Sequence, residues 1–224
     1  MMTCDKHSFN PSYIGCREDI LSLIPEGVKK VLDVGCSIGS TGERLKQKFG
    51  AEVTGIEIDE QMAKVAKGKL DRVILGDLDG IKLEDILTPD YFDCIILADV
   101  LEHLKDPWRI LKDITTFLSN DGVVIASIPN VRHYTTIINL LFSGYWPYRE
   151  RGIHDKTHLR FFTLKSIKEL FRYANLRIIQ LKRNYRIIEK PHIYNRLSKC
   201  LCFPLVRELF VFQYLVVAKK LKKE

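Results

Sequence analysis

The chain has 224 residues, 46% of them hydrophobic and 28% charged, which suits one large core that needs no help from disulfides or metals and argues against general disorder. Six cysteines (Cys4, Cys16, Cys36, Cys94, Cys200 and Cys202) fall at irregular spacings that fit reduced, cytoplasmic usage better than a disulfide framework or a zinc finger. The net charge of +7 is uneven: residues 172–224 carry thirteen Lys/Arg against three Asp/Glu, so the basic excess belongs to the C-terminal quarter and suggests an anionic partner or a solvated face.

Taken in chain order, residues 1–10 are polar and open no secretory leader, and the apolar runs at 137–142 and 210–218 are far below membrane-spanning length. Short β-branched runs then alternate with helix-like stretches, the signature of a mainly parallel sheet covered on both faces. Strands are expected at 30–34, 52–57 and 72–75, with helices at 40–49 and 60–67 between them and Gly50 as a stop signal. The nearly unbroken apolar run 92–98 reads as a central strand buried on both faces. A helix over 108–118 follows Pro107, Asn120-Asp121-Gly122 reads as a turn, and a fifth strand covers 123–128.

Beyond Pro129 the pattern loosens into a polar, aromatic and histidine-bearing stretch, 130–162, which reads as a cover over a site. Thr163 caps an expected helix at 164–173, followed by a strand near 176–181, a basic linker 182–208 and a last strand at 209–218. Residues 197–209 mix apolar side chains with Lys199 and Arg207 just after Arg196. They read as an amphipathic helix that rests on an anionic membrane, binds phosphate, or packs on the sheet with its cations in water.

Glycine at a strand-to-helix turn lets backbone approach a ligand, and the helix start offers free N–H donors. An acidic residue some twenty positions later, at the end of the next strand, can accept from both ribose hydroxyls, and Glu57 is so placed. Taken alone, the glycine turn 33–39 fits a dinucleotide-binding domain equally well. It is followed, however, by Gly55-Ile56-Glu57-Ile58-Asp59, Gly76-Asp77-Leu78 and the run 92–107.

In that order the motifs resemble the class I S-adenosylmethionine-dependent methyltransferase superfamily, over roughly residues 30–128. The resemblance implies an α/β, Rossmann-like fold: a mostly parallel seven-stranded sheet with helices on both faces and a cover inserted after the fifth strand. It implies S-adenosylmethionine as cofactor, with Asp33, Gly35, Cys36, Ser37 and Gly39 around its methionine end, Glu57 on the ribose and Ile58 against the adenine. Asp77 and Leu78 would bound the adenine edge; Ala98 and Asp99 would line the wall beside the methyl group, with His103 nearby. One departure is Ser37, where the family usually has glycine. The chain is then a single domain: an N-terminal helical lid (1–29), the cofactor-binding core (30–129), the cover (130–162), and a C-terminal helix and strands with the basic segment (163–224).

Methyl transfer mainly requires donor and acceptor to be held in line, but an alcohol acceptor also needs a base or a metal. His133, His154 and His158 are the candidate bases within the cover, with His103 close by. If 154–158 is helical, His154 and His158 share one face and could bind a metal or divide base and orienting roles; otherwise they are hydrogen-bonded structural groups. Tyr134, Tyr145, Trp146 and Tyr148 could stack on an acceptor or close a hydrophobic lid.

The segments 127–134, 143–146, 158–163 and 212–218 further resemble methyltransferases associated with glycosyltransferases in surface-polysaccharide pathways and, more loosely, MetW-like proteins. This second resemblance implies O-methylation, or N-methylation, of a sugar in a surface glycan or its activated precursor, phosphate-bearing forms included. The alternatives are a MetW-like cofactor-binding accessory and a nucleic-acid methyltransferase. The latter lacks its Asn-Pro-Pro-Tyr type motif after the fourth strand, so no nucleic-acid partner is expected. A cytoplasmic protein, touching the inner membrane face through its basic C-terminal region, completes the expectation.

Overall fold

The computed structural model describes residues 14–187 and 206–221. One sheet of seven strands runs β3-β2-β1-β4-β5-β7-β6, where β1 is Lys30–Val34, β2 Glu52–Glu57, β3 Arg72–Leu75, β4 Phe92–Ala98, β5 Leu118–Pro129, β6 Leu176–Tyr185 and β7 Val211–Lys220. The first five strands pair in parallel; β7 is antiparallel to both β5 and β6. Parallel pairing needs crossovers, and α2 (Ser40–Phe49), α3 (Glu60–Ala66) and α4 (Pro107–Ile114) lie in these connections, while α1 (Glu18–Leu21) precedes β1.

Burial on both faces explains the continuous apolar run of β4. Ile95 and Leu97 join the core beneath α4 and α6 (Leu164–Tyr173), whereas Cys94 and Ile96 join the core beneath α1, α2 and α3. Strand order reverses where β1 meets β4, and the loops leaving the C-terminal ends of these strands part there to leave a crevice. Asp59 caps α3, Asp106 caps α4 with Pro107 in its first turn, and Thr163 forms a capping box with Ser166 at α6.

Five expectations need correction. The helix over 108–118 ends at Ile114 and tightens into a 3-10 turn at Thr115–Phe117. The turn at 120–122 is a bulge inside β5: pairing passes from Phe92↔Leu118 to Cys94↔Val123, and a Cβ on Gly122 would lie 2.8 Å from Leu118 Cδ1 and 3.0 Å from Asp93 O. The cover contains a further helix, α5 (Tyr134–Ser143), ended by Gly144 at φ 57°. Its only buried residue is Thr136, so the apolar period that betrays a packed helix is absent. The strand expected to stop near 181 runs on to Tyr185, into the segment read as a linker, and the last strand is displaced to Val211–Lys220.

Most of the amphipathic helix expected at 197–209 lies outside the described residues; Arg207–Leu209, within them, forms a 3-10 turn. Among the described residues no helix is long and apolar enough to cross a membrane.

Candidate active site

A cavity of about 440 Å³ opens at the C-terminal ends of β1, β2 and β4, bounded by the turn after β1, by Glu57 and Ile58, and by Asp99 to Leu104. Asp33 is buried at 3% exposure in its wall, and its Oδ2 has no hydrogen-bond partner. Burial, reinforced by the charge of Glu57 and opposed by that of Arg17, pushes its carboxyl up to about 7.

The turn is shaped by left-handed residues. Gly35 (φ 67°) and Cys36 both donate to Ile56 O, at 2.8 and 3.0 Å, and a Cβ on Gly35 would meet Val100 Cγ2 at 2.9 Å. Ser37 also adopts φ 51°, a conformation that glycine takes more readily, and its Oγ lies 3.6 Å from Met62 Sδ. Cys36 is buried, and burial pushes its thiol well up. Gly39 does not line the cavity. At φ 75° it starts α2, and a Cβ there would press on the Ala66 backbone and Leu70 at 3.2 Å. Gly39→Ala is expected to lower stability by about 1–3 kcal/mol; equal urea midpoints for variant and wild type would contradict this packing role.

Glu57, 6% exposed, braces this turn from β2. Its Oε2 accepts from Ser37 N (2.7 Å), and its Oε1 from Ile58 N and Asp59 N (2.9 Å each). Ile58 is 66% exposed at the cavity mouth, an apolar side chain left open to a flat ligand. Asp77 and Leu78 line the same end, and Asp77 Oδ1 accepts from Asp79 N at 2.9 Å.

On the opposite wall stand Ala98 and Asp99. Asp99 is left-handed at φ 57° and fully engaged: Oδ1 accepts from Ser127 Oγ (2.9 Å) and Gln213 Nε2, and Oδ2 pairs with the Arg17 guanidinium. Arg17 also holds Asp19 through two 2.9 Å bonds, and these carboxylates keep its guanidinium charged despite burial. Sequence reasoning missed Arg17, which no local motif marks, and gave no role to Gln213, which lies in the motif 212–218.

At the far end the cavity reaches Glu102, His103, Asp155 and His158. Glu102 is 1% exposed, and neither of its carboxylate oxygens has a hydrogen-bond partner. Burial, together with the charge of Asp99, holds its carboxyl well above the ordinary range. His158 Nδ1 lies 3.2 Å from Ile153 O, which can only accept, so Nδ1 carries the hydrogen and Nε2 faces Glu102 Oε1 at 4.0 Å with a lone pair. Burial, then the neighbouring His103, lowers the His158 pKa. The two imidazole rings meet edge to face, 4.7 Å apart. Glu102 lies within the motif 92–107, which by itself assigns it no role.

His133 and His154 do not line the cavity. His133 caps α5, with Nε2 donating to Arg186 O and Nδ1 2.8 Å from Thr135 Oγ1. His154 Nε2 meets Thr136 Oγ1 at 3.0 Å, its ring packs on Trp146, and burial lowers its pKa to about 4. The segment 154–158 is a turn and not a helix, so His154 and His158 do not share a helix face. Trp146 packs inside the cover between His154 and Phe161, and Tyr134 against Phe210; Tyr145 and Tyr148 are exposed.

A family described as "Methyltransferase domain" matches residues 14–181. Among curated proteins, a ubiquinone biosynthesis O-methyltransferase of Neisseria meningitidis is 26% identical over 196 residues, covering 83% of this chain and 79% of that protein. One so named from Chromobacterium violaceum is 30% identical over 152 residues, covering 66% and 64%. Among solved structures, a SAM-dependent methyltransferase from Archaeoglobus fulgidus superposes with a TM-score of 0.61 at 22% identity, covering 87% of both chains. A possible histamine N-methyltransferase from Thermotoga maritima gives 0.61 at 17% identity, covering 91% of this chain and 87% of that one.

Proposed function

The chain belongs to the class I S-adenosylmethionine-dependent methyltransferase family, and from that premise we propose that it is an O-methyltransferase whose acceptor hydroxyl sits against Glu102, His103 and His158. The cofactor fits the cavity. Asp33 offers an unpartnered buried oxygen to a cationic group, and Gly35 has no room for a side chain beside Val100. Glu57 stands at the end of β2, and Ile58 leaves an apolar surface for a base. In this reading Asp33, Gly35, Cys36 and Ser37 hold the methionine end, Glu57 the ribose, and Ile58, Asp77 and Leu78 the adenine. S-adenosylmethionine supplies an electrophilic methyl group; the protein aligns the acceptor and deals with its proton.

The observation that carries O-methylation is the far end of the cavity, where a buried carboxylate with two unpartnered oxygens faces two histidines. An amine acceptor needs less activation than a hydroxyl, and such a cluster would be superfluous for it. The acceptor proposed first is a sugar hydroxyl of a surface glycan or its activated precursor, on the strength of the cover and last-strand motifs. A second reading, a hydroxyl on a lipid-linked ring, is favoured by the exposed apolar side chains of α5, Ile138, Leu140, Leu141 and Phe142. It also accords with the names of the relatives.

Methyl-labelled cofactor incubated with the protein and either a nucleotide-sugar and glycan fraction or a prenylated phenol tests both. Label recovered as an O-methyl sugar supports the first acceptor, and label on the phenol the second. Label on nitrogen would overturn O-methylation, and cofactor binding without any turnover would favour the accessory role.

A further inference from the structure

We propose that Glu102, His103 and His158 form a divalent-cation site of the two-histidine, one-carboxylate class at the acceptor end of the cavity. One ligand atom from each lies within 4.8 Å of the others, a spread that a cation with bonds of about 2.1 Å would draw in by small side-chain movements. Two independent features of the cluster point to a cation.

Glu102 is buried at 1% exposure in the cavity wall with both oxygens unpartnered, an arrangement that a cation would satisfy. The histidines, in turn, have their tautomers fixed from behind. His158 Nδ1–H is directed to Ile153 O, as described. His103 Nδ1 lies 3.3 Å from Thr157 O and 3.1 Å from Thr157 Oγ1, whose single hydrogen goes to Asp155 Oδ1 at 2.7 Å. Both Thr157 atoms therefore accept, Nδ1 of His103 carries the hydrogen, and both rings keep Nε2 lone pairs. Metal-bound histidines are commonly held in this way, with the second nitrogen donating to a carbonyl or to a chain ending on a carboxylate.

Another carboxylate on the wall, Asp99, is withdrawn from the set because Ser127, Gln213 and Arg17 occupy its oxygens. Two imidazoles and one carboxylate suit zinc, manganese, iron, cobalt or nickel better than magnesium or calcium. The remaining coordination positions would face the cavity.

The catalytic use of this ion rests on the O-methylation reading; its binding does not. A hydroxyl held at an open position would lose its proton to solvent at neutral pH. Its oxygen lone pair would then form the O–C bond to the methyl group as the C–S bond breaks, with that electron pair returning to sulfur.

The test is titration of the chelator-treated full chain with Co2+, Zn2+ and Mn2+ separately, followed by calorimetry and, for Co2+, by visible absorption. One equivalent is expected to bind, with a cobalt spectrum indicating nitrogen ligation, and Glu102→Gln and His158→Gln should each weaken binding at least 100-fold. Glu102→Gln should retain S-adenosylhomocysteine binding and melt no lower than wild type, because it exchanges one buried, unpartnered polar group for another of the same shape, so lost metal binding could not be blamed on unfolding. No binding tighter than millimolar for any of the three ions, or binding unchanged in both variants, would overturn the site. Metal bound in these ligands without O-methyl product would leave the site standing and remove the O-methylation reading. Full turnover in the chelator-treated protein would leave that reading standing and remove the ion from catalysis.

Discussion

Replacing Glu57 with alanine is expected to weaken S-adenosylhomocysteine binding at least 100-fold in calorimetric titration. Hydrogen bonds to a charged acceptor contribute about 1.5–3 kcal/mol each, and Glu57 makes three, to Ser37 N, Ile58 N and Asp59 N. They tie the turn after β1 to the end of β2, and they hold Ser37 in a left-handed conformation that costs a non-glycine residue about 1–2 kcal/mol. Alanine removes this brace together with the proposed acceptor for the ribose hydroxyls. Glutamine should be nearly as damaging despite its shape. With its oxygen on Ile58 and Asp59, its NH2 would face the Ser37 N–H, donor against donor. Affinity within threefold of wild type for both variants would remove Glu57 from the cofactor site.

This half of the molecule is also the more legible in its sequence. β1, β2 and β4 were readable at their observed bounds because parallel strands buried on both faces leave short apolar runs punctuated by glycine and acidic residues, and the half-exposed edge strand β3 because its apolar run ends at Gly76. Ligand contacts on such a sheet fall at the strand ends, so strand bounds and site residues were read together. The opposite wall was not legible, for a physical reason. Arg17 and Gln213 reach Asp99 across 82 and 114 residues of sequence, and only the folded sheet brings the end of β4, the start of β7 and the N-terminal segment together.

The histidines fail differently. Four residues separate His154 from His158, yet the chain between them is a turn, so one ring points at α5 and Trp146 while the other enters the cavity. Helical periodicity could not foresee this, because nothing local specifies the backbone of that loop. In α5 the apolar side chains meet solvent, so the pattern that marks a packed helix was missing.

Cofactor affinity is expected to rise with pH, about tenfold per unit, until it levels near pH 7. Asp33 is the cause: burial, then the charge of Glu57, lift its carboxyl to about 7 in the ligand-free protein. A cationic methionyl group must be met by the carboxylate, so binding below pH 7 has to expel a proton, and each unit of acidity makes that tenfold harder. Asp33→Asn should bind more weakly and lose the slope. A wild-type affinity flat from pH 5 to 8 would show that Asp33 does not meet the cation. The same group shapes stability in the opposite sense. Its folded pKa lies above the unfolded value of 3.8, so its favourable contribution is complete below about pH 4 and is lost as pH rises through 7. His154 runs the other way: its pKa falls from 6.5 to about 4 on folding, so stability is lost as pH falls through that window. Between pH 4 and 6.5 the two slopes oppose each other. Asp33→Asn should therefore expose the histidine's contribution, as a melting temperature that drops on acidification below pH 6.5 more steeply than in wild type.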